Sequence, residues 1–594
     1  MSEPHSEYTR RLGLVSEITA QHKKRDRFYA AAKLLLGVFT VIAAIWLVRD
    51  HRSSLGYLAI PAALFVLLAI LHERVLRALR CCSRITAFYQ RGVARLEDRW
   101  AEAGGENGER FLDPAHPYAR DLDIFGSASL FQLLSNARTR VGEETLAAWL
   151  KSAAPIPEII ARQAAVRDLE PRLDFREEIA VAGDEIREGI HPDALIAWAE
   201  GMPSFRRKRI FVLALLLSLL WLLSLVLWWQ WGWLTGALAM SAINLGVRYK
   251  INKQVEEAAH AIDGAAKDLR LLATLLIHIE RESFTAPRLA QLQTALRSGD
   301  VIASGSIAQL GKRLNWLDSA HNQFARILDL FLFWTPFCVV ALEAWREQHG
   351  SSIRQWLTAT GEIEALNSLA TYAYEHPADV FPEFVEQGLC FDAEGLAHPL
   401  LARGKAISND LKLDSGLRML VISGPNMAGK STFIRSVGVN AVLAQAGAPV
   451  CARRFTLSSL QVAASICILD SLHGGLSRFY AEISRLKQID DLSRQPMPVL
   501  FLLDELLSGT NSHDRRIGTE SFVRSLLARG GIGLVTTHDL ALAEITTRID
   551  APAANFHFED RFEGGKLIFD YKLTPGIVQT ANALQLMRSI GLEV

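Results

Sequence analysis

The sequence predicts an α-helical core that carries two transmembrane helical hairpins and is followed by a C-terminal α/β domain. Three observations support this fold class. Long apolar runs occur in two close pairs, within residues 34–75 and again within 206–250. Apolar residues recur at helical spacing over residues 256–281. Near the C-terminus, short apolar runs end in glycine-rich or acidic segments, as the strands of an open α/β sheet do.

A glycine-rich segment separates a predicted strand from a predicted helix. Residues 424–432 satisfy the phosphate-binding pattern G-x-x-x-x-G-K-[ST], the P-loop. The apolar run 417–423 predicts a buried strand before it, and residues 433–446 predict a helix after it. We expect backbone N–H groups and the helix N-terminus to hold phosphate oxygens. The predicted nucleotide-binding residues are Gly424, Pro425, Asn426, Met427, Ala428, Gly429, Lys430, Ser431 and Thr432.

Carboxylates and a histidine follow two further apolar runs at the spacing of a P-loop ATPase. Lys430 is predicted to reach the β- and γ-phosphates, and the Ser431 hydroxyl to bind Mg²⁺. Residues 498–504 predict a strand that ends in Asp504, a second Mg²⁺ ligand, and Glu505 is predicted to orient or deprotonate the attacking water. His538 follows the predicted strand 533–537 and is a candidate γ-phosphate sensor or water-positioning residue. ATP and Mg²⁺ are therefore the predicted cofactors, with Lys430, Glu505 and His538 as catalytic residues.

These motifs and their flanks resemble the MutS mismatch-repair ATPases. Ala428 stands where that family has a glycine. Similar segments lie before and after the loop, at residues 397–400, 408–410, 504–514, 537–538 and 571–576. Looser similarity to the start of the family's helical core covers residues 129–134, 139–142, 149–150 and 162–166. The resemblance implies an ABC/MutS-like ATPase domain and DNA as a partner.

The resemblance also implies a homodimer with composite ATP sites. Residues 475–479, with Glu482, are similar to the family's Ser-Thr-Phe loop, although Arg478 replaces the usual threonine. By this resemblance, Ser477 contacts the nucleotide of the opposite subunit. The Phe-x-Glu motif of the family's mismatch-reading module does not occur before the core, and the first ~120 residues are too few for that module, so we do not expect mismatch recognition by the usual wedge. We expect no C-terminal nuclease domain either.

Four apolar runs predict two membrane hairpins. They occupy residues 34–48, 55–71, 210–229 and 231–247, and a spanning helix needs roughly 17–25 mostly apolar residues. The third run is long enough by itself, while the others lie near the short limit. A fifth apolar stretch, residues 327–345, contains Asp329, Pro336 and Glu343, so we predict a buried helix of the core there. No signal-peptide cleavage pattern precedes the first run, which we expect to be retained.

Basic residues predict the orientation of both hairpins. They precede and follow each hairpin: Lys23, Lys24, Arg25, Arg27, Arg74, Arg77, Arg80, Arg206, Arg207, Lys208, Arg209, Arg248 and Lys250. The first connecting loop holds only Arg49 and Arg52, and the second holds none. The positive-inside rule predicts a multi-pass protein of the inner (cytoplasmic) membrane, with the ATPase domain and both termini in the cytoplasm and lipid as a partner.

Composition gives no independent indication of DNA binding. The 594 residues include 64 Lys and Arg against 64 Asp and Glu, a formal net charge of zero, whereas nucleic-acid binders usually carry a basic field. DNA as a partner therefore rests on the resemblance. The cysteines show no metal-type spacing, so free thiols are expected in a reducing cytoplasm. Lipidation of the adjacent pair Cys81 and Cys82 is an alternative.

The predicted organisation divides the chain into seven parts. They are an N-terminal cytoplasmic segment (1–33), hairpin one (34–75), a helical linker (76–120), the first part of the core (121–205), hairpin two (206–250), the second part of the core (251–390) and the ATPase domain (391–594).

Three functions are compatible with this organisation. The first is a membrane-anchored MutS-like ATPase that binds DNA in mismatch repair or another DNA-structure-related role. The second is an ATP-switched membrane scaffold that does not act on DNA. The third is an ABC-type transport ATPase, which four spans per chain and the missing Leu-Ser-Gly-Gly-Gln signature disfavour.

Overall fold

The computed structural model describes most of the chain, in two units. The described residues are 3–49, 58–186, 192–201, 207–298, 301–319, 329–425, 428–466, 478–563 and 566–578. The units are Met1–Gly105 and Glu106–Val594.

The first unit is an antiparallel pair of long helices, α1 (Pro4–Arg49) and α2 (Ala59–Leu96). Near the ends far from the connection, the Arg11 guanidinium donates to the Tyr89 hydroxyl (3.0 Å). Closer to the connection, Asp26 pairs with His72 (2.7 Å). The charged N-terminal segment and the first predicted span thus form one uninterrupted helix, so the change in composition near residue 33 is not a structural boundary.

Helices build the first part of the second unit. After a short 3-10 turn (Glu109–Phe111), they are α3 (Leu130–Leu134), α4 (Arg140–Lys151), α5 (Ile156–Leu169), α6 (Leu173–Ile186), α7 (Pro192–Glu200), α8 (Arg207–Trp231), α9 (Leu234–Arg281), α10 (Pro287–Ala295), α11 (Ala303–Ser319) and α12 (Trp334–Glu375). A small antiparallel ribbon, β1 (Arg297–Ser298) with β2 (Val301–Ile302), lies between α10 and α11.

Helix α12 is the axis of this helical region and contacts α4, α5, α7, α8, α9, α10 and α11. The buried Glu364 carboxylate accepts hydrogen bonds from the backbone N–H groups of Arg138 (3.0 Å) and Thr139 (3.2 Å) at the start of α4. Thr139 in turn caps α4 by accepting from the N–H of Gly142 (3.0 Å). The long axis is therefore fixed to its neighbours by polar contacts as well as by apolar packing.

Two sheets form the C-terminal part. The smaller has the order β3-β7-β4-β5 and contains β3 (Glu383–Val385), β4 (Cys390–Leu396), β5 (Asn409–Asp414) and β7 (Arg454–Ser458). The larger has the order β12-β11-β6-β10-β9-β8 and contains β6 (Met419–Ser423), β8 (Gln461–Ser465), β9 (Val499–Asp504), β10 (Ile532–Thr537), β11 (Ala553–Glu563) and β12 (Lys566–Pro575). The associated helices are α13 (Lys430–Ala446), α14 (Arg478–Leu492), α15 (Ser512–Ala528), α16 (Leu540–Ala543) and α17 (Ile545–Arg548).

The larger sheet is mixed, because β12 runs antiparallel to β11 while the other neighbouring strands are parallel. The central strands β6 and β10 are buried along their whole length, which explains why their sequences are continuous apolar runs rather than alternating patterns. A helical region followed by a mixed sheet is what the sequence predicted in outline.

Within the residues that the structure describes, three helices are long and apolar enough to cross a membrane, over Pro4–Leu47, Ala59–Leu96 and Phe211–Trp231. They overlap most of the first three predicted runs (34–48, 55–71 and 210–229), and residues 55–57 lie outside the described part. The fourth predicted run, 231–247, covers the first part of α9. Helix α9 is not among the three candidate membrane spans found in the described residues. Its apolar stretch is short because the buried Asn244 and Arg248 interrupt it. In the fifth stretch, residues 327 and 328 lie outside the described part, and buried Val339, Leu342 and Trp345 follow in α12.

Candidate functional site

The carboxyl ends of three parallel strands meet at one edge of the larger sheet. In the strand register, Thr537 of β10 is paired with Ser423 of β6, and Thr536 with Asp504 of β9. The Thr536 hydroxyl donates a hydrogen bond to the Asp504 carboxylate. The segments that follow these strands therefore start side by side, at the position where ligands bind in open α/β sheets.

The loop between β6 and α13 depends on glycine at both of its ends. Gly424 has φ 148° and Gly429 has φ 98°. A Cβ atom on Gly424 would lie 2.8 Å from the carbonyl oxygen of Phe558, and one on Gly429 would lie 3.0 Å from Cδ1 of Tyr571. Only glycine fits both the backbone conformation and the space. Between them, Asn426 and Met427 lie outside the described residues.

Replacing Gly429 with alanine is expected to weaken nucleotide binding by about tenfold or more, because a strained backbone costs about 1–3 kcal/mol, or roughly 5- to 150-fold. Fluorescent-nucleotide titration measures the change. Gly311→Ala is the matched control, since Gly311 lies in α11 with no atom within 4 Å of its added Cβ. Equal affinity in the Gly429 variant and the wild type would contradict the assignment of this loop.

Lys430, the first residue of α13, is almost fully buried at the mouth of the loop. Its ammonium group donates hydrogen bonds to the carbonyl oxygens of Gly424 (2.7 Å) and Pro425 (2.9 Å). It also lies 3.9 Å from the Glu505 carboxylate. Burial lowers the pKa of Lys430, while the negative charges of Glu505 and Asp504 act in the opposite direction. The loop thus holds a cation at the N-terminus of a helix, where an anion is favoured.

Glu505 is held in an unusual backbone conformation directly after β9. Its φ is 46°, and that of Leu507 is 54°, both in the left-handed region that non-glycine residues rarely adopt. The Glu505 N–H donates to the carbonyl oxygen of Thr536 (3.2 Å), and its carboxylate lies 3.1 Å from Nδ1 of His538. The Leu507 N–H donates to the buried Glu482 carboxylate of α14. Strained residues of this kind cluster at functional sites.

A cavity of about 530 Å³ adjoins the glycine-rich loop. Ser431, Thr432, Lys430 and Glu505 line it, and its remaining lining is mostly apolar and comes from four chain segments: Leu396, His398, Leu401, Lys405, Ala406, Ile407, Asn409, Pro425, Gly429, Phe433, Ser436, Phe558 and Tyr571. Three predicted site residues, Lys430, Glu505 and His538, are thus brought together, with Ser431 on the same cavity and Asp504 adjacent to Glu505 in sequence. Ser477 lies outside the described residues, so its predicted position stays a prediction.

Residues far apart in sequence close one wall of this cavity. The Asn409 side chain donates to the carbonyl oxygen of Tyr571 (3.0 Å) and accepts from the N–H of Leu573 (2.8 Å), so β5 is tied to β12. Tyr571 has φ 53° and lies against Gly429. Sequence reasoning noted these segments only as similar to a family and did not place them at the site. The sequence pattern within each segment does not indicate that Asn409 pairs with Tyr571, a residue 162 positions away.

His398 lies on the cavity wall in an environment that keeps it neutral. Burial lowers its pKa to about 4, and the charge of Arg435 contributes in the same direction. Its Nδ1 accepts a hydrogen bond from the N–H of Leu400 (3.2 Å), which fixes the ring. The wall beside the glycine-rich loop therefore presents an uncharged imidazole above about pH 5, next to apolar Leu396 and Leu401.

Comparison with known proteins gives one family for the C-terminal region. A family model described as MutS domain V matches residues 420–593. The DNA mismatch repair protein MutS of Chlorobium phaeovibrioides is 31% identical over 252 residues, 41% of this chain and 28% of that protein. MutS of Thermotoga maritima is 30% identical over 241 residues, 40% of this chain and 30% of that protein. DNA mismatch repair protein MSH3 of Phaeosphaeria nodorum is 31% identical over 245 residues, 40% of this chain and 22% of that protein.

These matches confirm the family resemblance predicted from the ATPase motifs. The chain spans less than a third of the length of these relatives. The upstream segments between residues 129 and 166 lie outside the matched family model.

Proposed function

We propose that the protein is a membrane-anchored ATPase that closes as a dimer around ATP and acts on DNA, because its C-terminal region matches MutS domain V and is similar to DNA mismatch repair proteins. The observation that carries the proposal is that Lys430 and Glu505 contact each other on the lining of a cavity at the N-terminus of α13, and that His538 contacts Glu505. A cation, a carboxylate and a histidine in this arrangement suit phosphate-ester hydrolysis.

The cavity has a polar and an apolar part, as ATP does. The triphosphate fits against the glycine-rich loop, where the N–H groups at the start of α13 and the Lys430 ammonium face it. The base fits against the wall formed by Leu401, Ile407 and Phe558, with Tyr571 beside Gly429. When ATP binds, Lys430 would exchange its hydrogen bonds to the loop carbonyl oxygens for hydrogen bonds to phosphate oxygens. These are stronger because both partners are charged.

The oxygen donors present suit the magnesium ion that accompanies ATP. The Ser431 hydroxyl and the Asp504 carboxylate are hard ligands of the kind Mg²⁺ prefers. In the part of the chain that the structure describes, no group of three or more His, Cys, Asp or Glu side chains forms a metal site. Mg²⁺ usually binds through one or two protein groups together with phosphates and waters. When bound, the ion supplies charge stabilisation to the phosphates.

Hydrolysis then assigns a role to each of the three residues. Glu505 accepts a proton from water as the water oxygen attacks the γ-phosphorus, and the bond from that phosphorus to the β–γ bridging oxygen breaks. His538, at hydrogen-bonding distance from Glu505, holds the carboxylate in position. Lys430 stabilises negative charge on the β- and γ-phosphate oxygens. The products are ADP and phosphate.

Dimerisation is proposed to place Ser477 at the nucleotide of the opposite subunit. The helix that starts directly after it, α14, carries Glu482, which accepts a hydrogen bond from the backbone of Leu507, two residues after Glu505. A contact at Ser477 could thus be transmitted to the strained segment that carries the proposed base. This link gives closure of the dimer a physical route to hydrolysis in each subunit.

The proposed anchor is the pair α1–α2 together with α8 and the start of α9. Large side chains that are more than 60% exposed, such as Leu34, Phe39, Ile42, Trp46 and Ile60, line the apolar parts of α1 and α2. Such a surface suits the hydrocarbon region of a bilayer rather than water. With the flanking basic residues on the inner side, the ATPase domain and both termini lie in the cytoplasm.

DNA binding is tested by the ATPase rate of the full chain in nanodiscs, with homoduplex, mismatched and branched DNA across a salt series. We expect DNA to stimulate turnover and the stimulation to fall as salt rises, because phosphate contacts release counterions. A preference for one DNA structure would identify the substrate. The control is the same series with a neutral polymer of equal length.

A second function is favoured by the zero net charge of the chain. It is an ATP-switched scaffold that organises membrane proteins without contacting DNA. Robust ATPase activity with neither DNA stimulation nor DNA binding at low salt would reject the DNA-acting function and support the scaffold.

A further inference from the structure

A helix break lies where the fifth apolar stretch meets the second predicted hairpin. Residues 329–332 are helical, Phe333 adopts φ 52°, and α12 starts at Trp334. Phe333 is fully buried and packs with Ala214 and Leu217 of α8. An aromatic residue in the left-handed region is strained and persists only when its surroundings hold it, so this contact with α8 is part of the fold.

The backbone groups released by the break are bound by side chains of the hairpin. The Asn244 side chain of α9 donates to the carbonyl oxygen of Phe331 (3.0 Å). The Ser218 hydroxyl of α8 donates to the carbonyl oxygen of Leu332 (3.0 Å). Asn244 is fully buried and Ser218 almost so. These contacts explain why Ser218 and Asn244 occur within apolar helices. Each donates a hydrogen bond to a carbonyl group that the helix break leaves without a helical partner.

The charges near the break are also compensated. The buried Asp329 carboxylate accepts from the Arg248 guanidinium of α9 (3.2 Å) and from both the N–H (2.6 Å) and the hydroxyl (2.9 Å) of Thr335. Asp329 thus bridges the two sides of the break and supplies a cap for the start of α12. Pro336 lies within the first turn of α12, where its missing N–H is tolerated.

Two residue counts place Phe331, two residues before the break, deep in the hairpin. Trp221, whose ring stacks on Phe331 (centroids 5.0 Å apart, planes at 5°), comes about ten residues after the start of the α8 span at Phe211. Asn244 comes about ten residues after Leu234, the first residue of α9. Leu234 lies at the turn of the hairpin, opposite to the end at which Phe211 lies. Ten helical residues rise about 15 Å, and the hydrocarbon core is about 30 Å thick. Phe331 therefore lies near the middle of that core, whereas the break at Phe333 lies closer to the Phe211 end of the span, since it packs on Ala214 and Leu217.

The outward face of the break is apolar, in contrast to its inward face. Leu330 is 36% and Trp334 45% exposed, comparable with Leu215 (41%) and Leu220 (49%) on the span of α8. We therefore infer that residues 329–337 form a re-entrant segment, which enters the bilayer beside α8 and α9 and returns to the cytoplasm as α12. This inference rests on the proposed membrane insertion of α8. The inference adds to the membrane-inserted part a segment that the sequence predicted as a core helix.

The re-entrant segment gives the bilayer a direct connection to the nucleotide cavity. Helix α12 has 42 residues, a length of about 63 Å. Near its far end, the hydroxyl of Tyr372 donates to Asp379 (2.8 Å), which also pairs with Arg403 (2.7 Å). Arg403 belongs to the loop whose neighbours Leu401 and Lys405 line the cavity. A movement of that loop on nucleotide binding would therefore be transmitted by one helix to the membrane.

Nitroxide spin labels test the depth of the segment. The labels are attached to cysteine at position 220, 330 or 412 of the full chain in nanodiscs, in a background whose six native cysteines are replaced and whose ATPase activity is intact. The ratio of collisions with oxygen to collisions with a nickel chelate reports depth. We expect lipid-like ratios at Leu220→Cys and Leu330→Cys, and a water-like ratio at the exposed control Lys412→Cys.

The outcomes separate the two proposals. A lipid-like ratio at position 220 with a water-like ratio at 330 would overturn the re-entrant segment alone. Water-like ratios at both positions would overturn the membrane insertion of α8 as well.

Asn244→Leu provides a second measurement, since it removes the donor to Phe331. We expect a change of at least about twofold in ATP turnover, against none for the exposed neighbour Leu245→Ala. Unchanged turnover in the Asn244 variant would refute the connection through α12.

Discussion

Replacing Lys430 with alanine is expected to lower the affinity for ATP by more than about 100-fold and to abolish turnover. Hydrogen bonds to charged groups contribute about 1.5–3 kcal/mol each, and the ammonium is proposed to donate to both the β- and γ-phosphates. Its position is fixed before any nucleotide arrives, because the Gly424 and Pro425 carbonyl oxygens already hold it. Little ordering of this side chain is therefore needed on binding.

The measurement is nucleotide titration together with a thermal melt. The variant loses a buried cation next to Glu505, so the melt shows whether the chain remains folded. Lys405→Ala is the matched control, since Lys405 is exposed and lines the same cavity. It is expected to bind ATP within about threefold of wild type, as exposed charges contribute little. Affinity near wild type for the folded Lys430 variant would show that the phosphates bind elsewhere.

The convergence of the site was predictable because its parts follow parallel strands of one sheet, in which β6, β10 and β9 are neighbours. Residues 424–432, the Asp504–Glu505 pair and His538 each come after an apolar run, and parallel strands bring their carboxyl ends to one edge. In the structure, Glu505 connects the other two side chains: its carboxylate lies 3.9 Å from the Lys430 ammonium and 3.1 Å from Nδ1 of His538. Local pattern was sufficient here, since each strand carries its own functional group.

Other features had no local signal. Glu505 and Leu507 adopt positive φ in a run without glycine, and Phe333 breaks a helix in the same way, with Pro336 three residues later. Tertiary contacts impose these conformations. The Leu507 N–H is bound by Glu482, and Phe333 is held between α8 residues. The sequence around Asn244 likewise does not indicate its partner, because the Phe331 carbonyl oxygen belongs to a residue 87 positions away.

Replacing Glu505 with glutamine is expected to leave ATP bound and unhydrolysed. Glutamine has the same shape but cannot accept a proton, and loss of a general base lowers the rate by about 100- to 10,000-fold. Removal of the carboxylate also removes a negative charge near the proposed γ-phosphate. ATP affinity is therefore expected to equal or exceed that of the wild type, while the catalytic rate collapses.

This separation of binding from hydrolysis predicts an accumulated dimer. If ATP closes two subunits and hydrolysis opens them, the Glu505→Gln protein should remain dimeric with ATP and return to the wild-type distribution with ADP. Mass photometry in nanodiscs measures the distribution, and a phosphate-release assay measures turnover. Addition of Ser477→Ala to this background should reduce the dimer, because the serine is proposed to contact the opposite nucleotide. Ser484→Ala, at a half-buried position of α14, is the control.

The strained backbone of Glu505 makes the comparison with alanine informative. Glutamine and alanine at position 505 both have to adopt φ near 46°, but only glutamine can keep a hydrogen bond to His538. If the carboxylate acts as the base, both variants lose turnover alike. If it acts only by positioning His538, glutamine should retain much of the rate that alanine loses. Wild-type turnover in Glu505→Gln would remove Glu505 as the base and make His538, at 3.1 Å, the next residue to test.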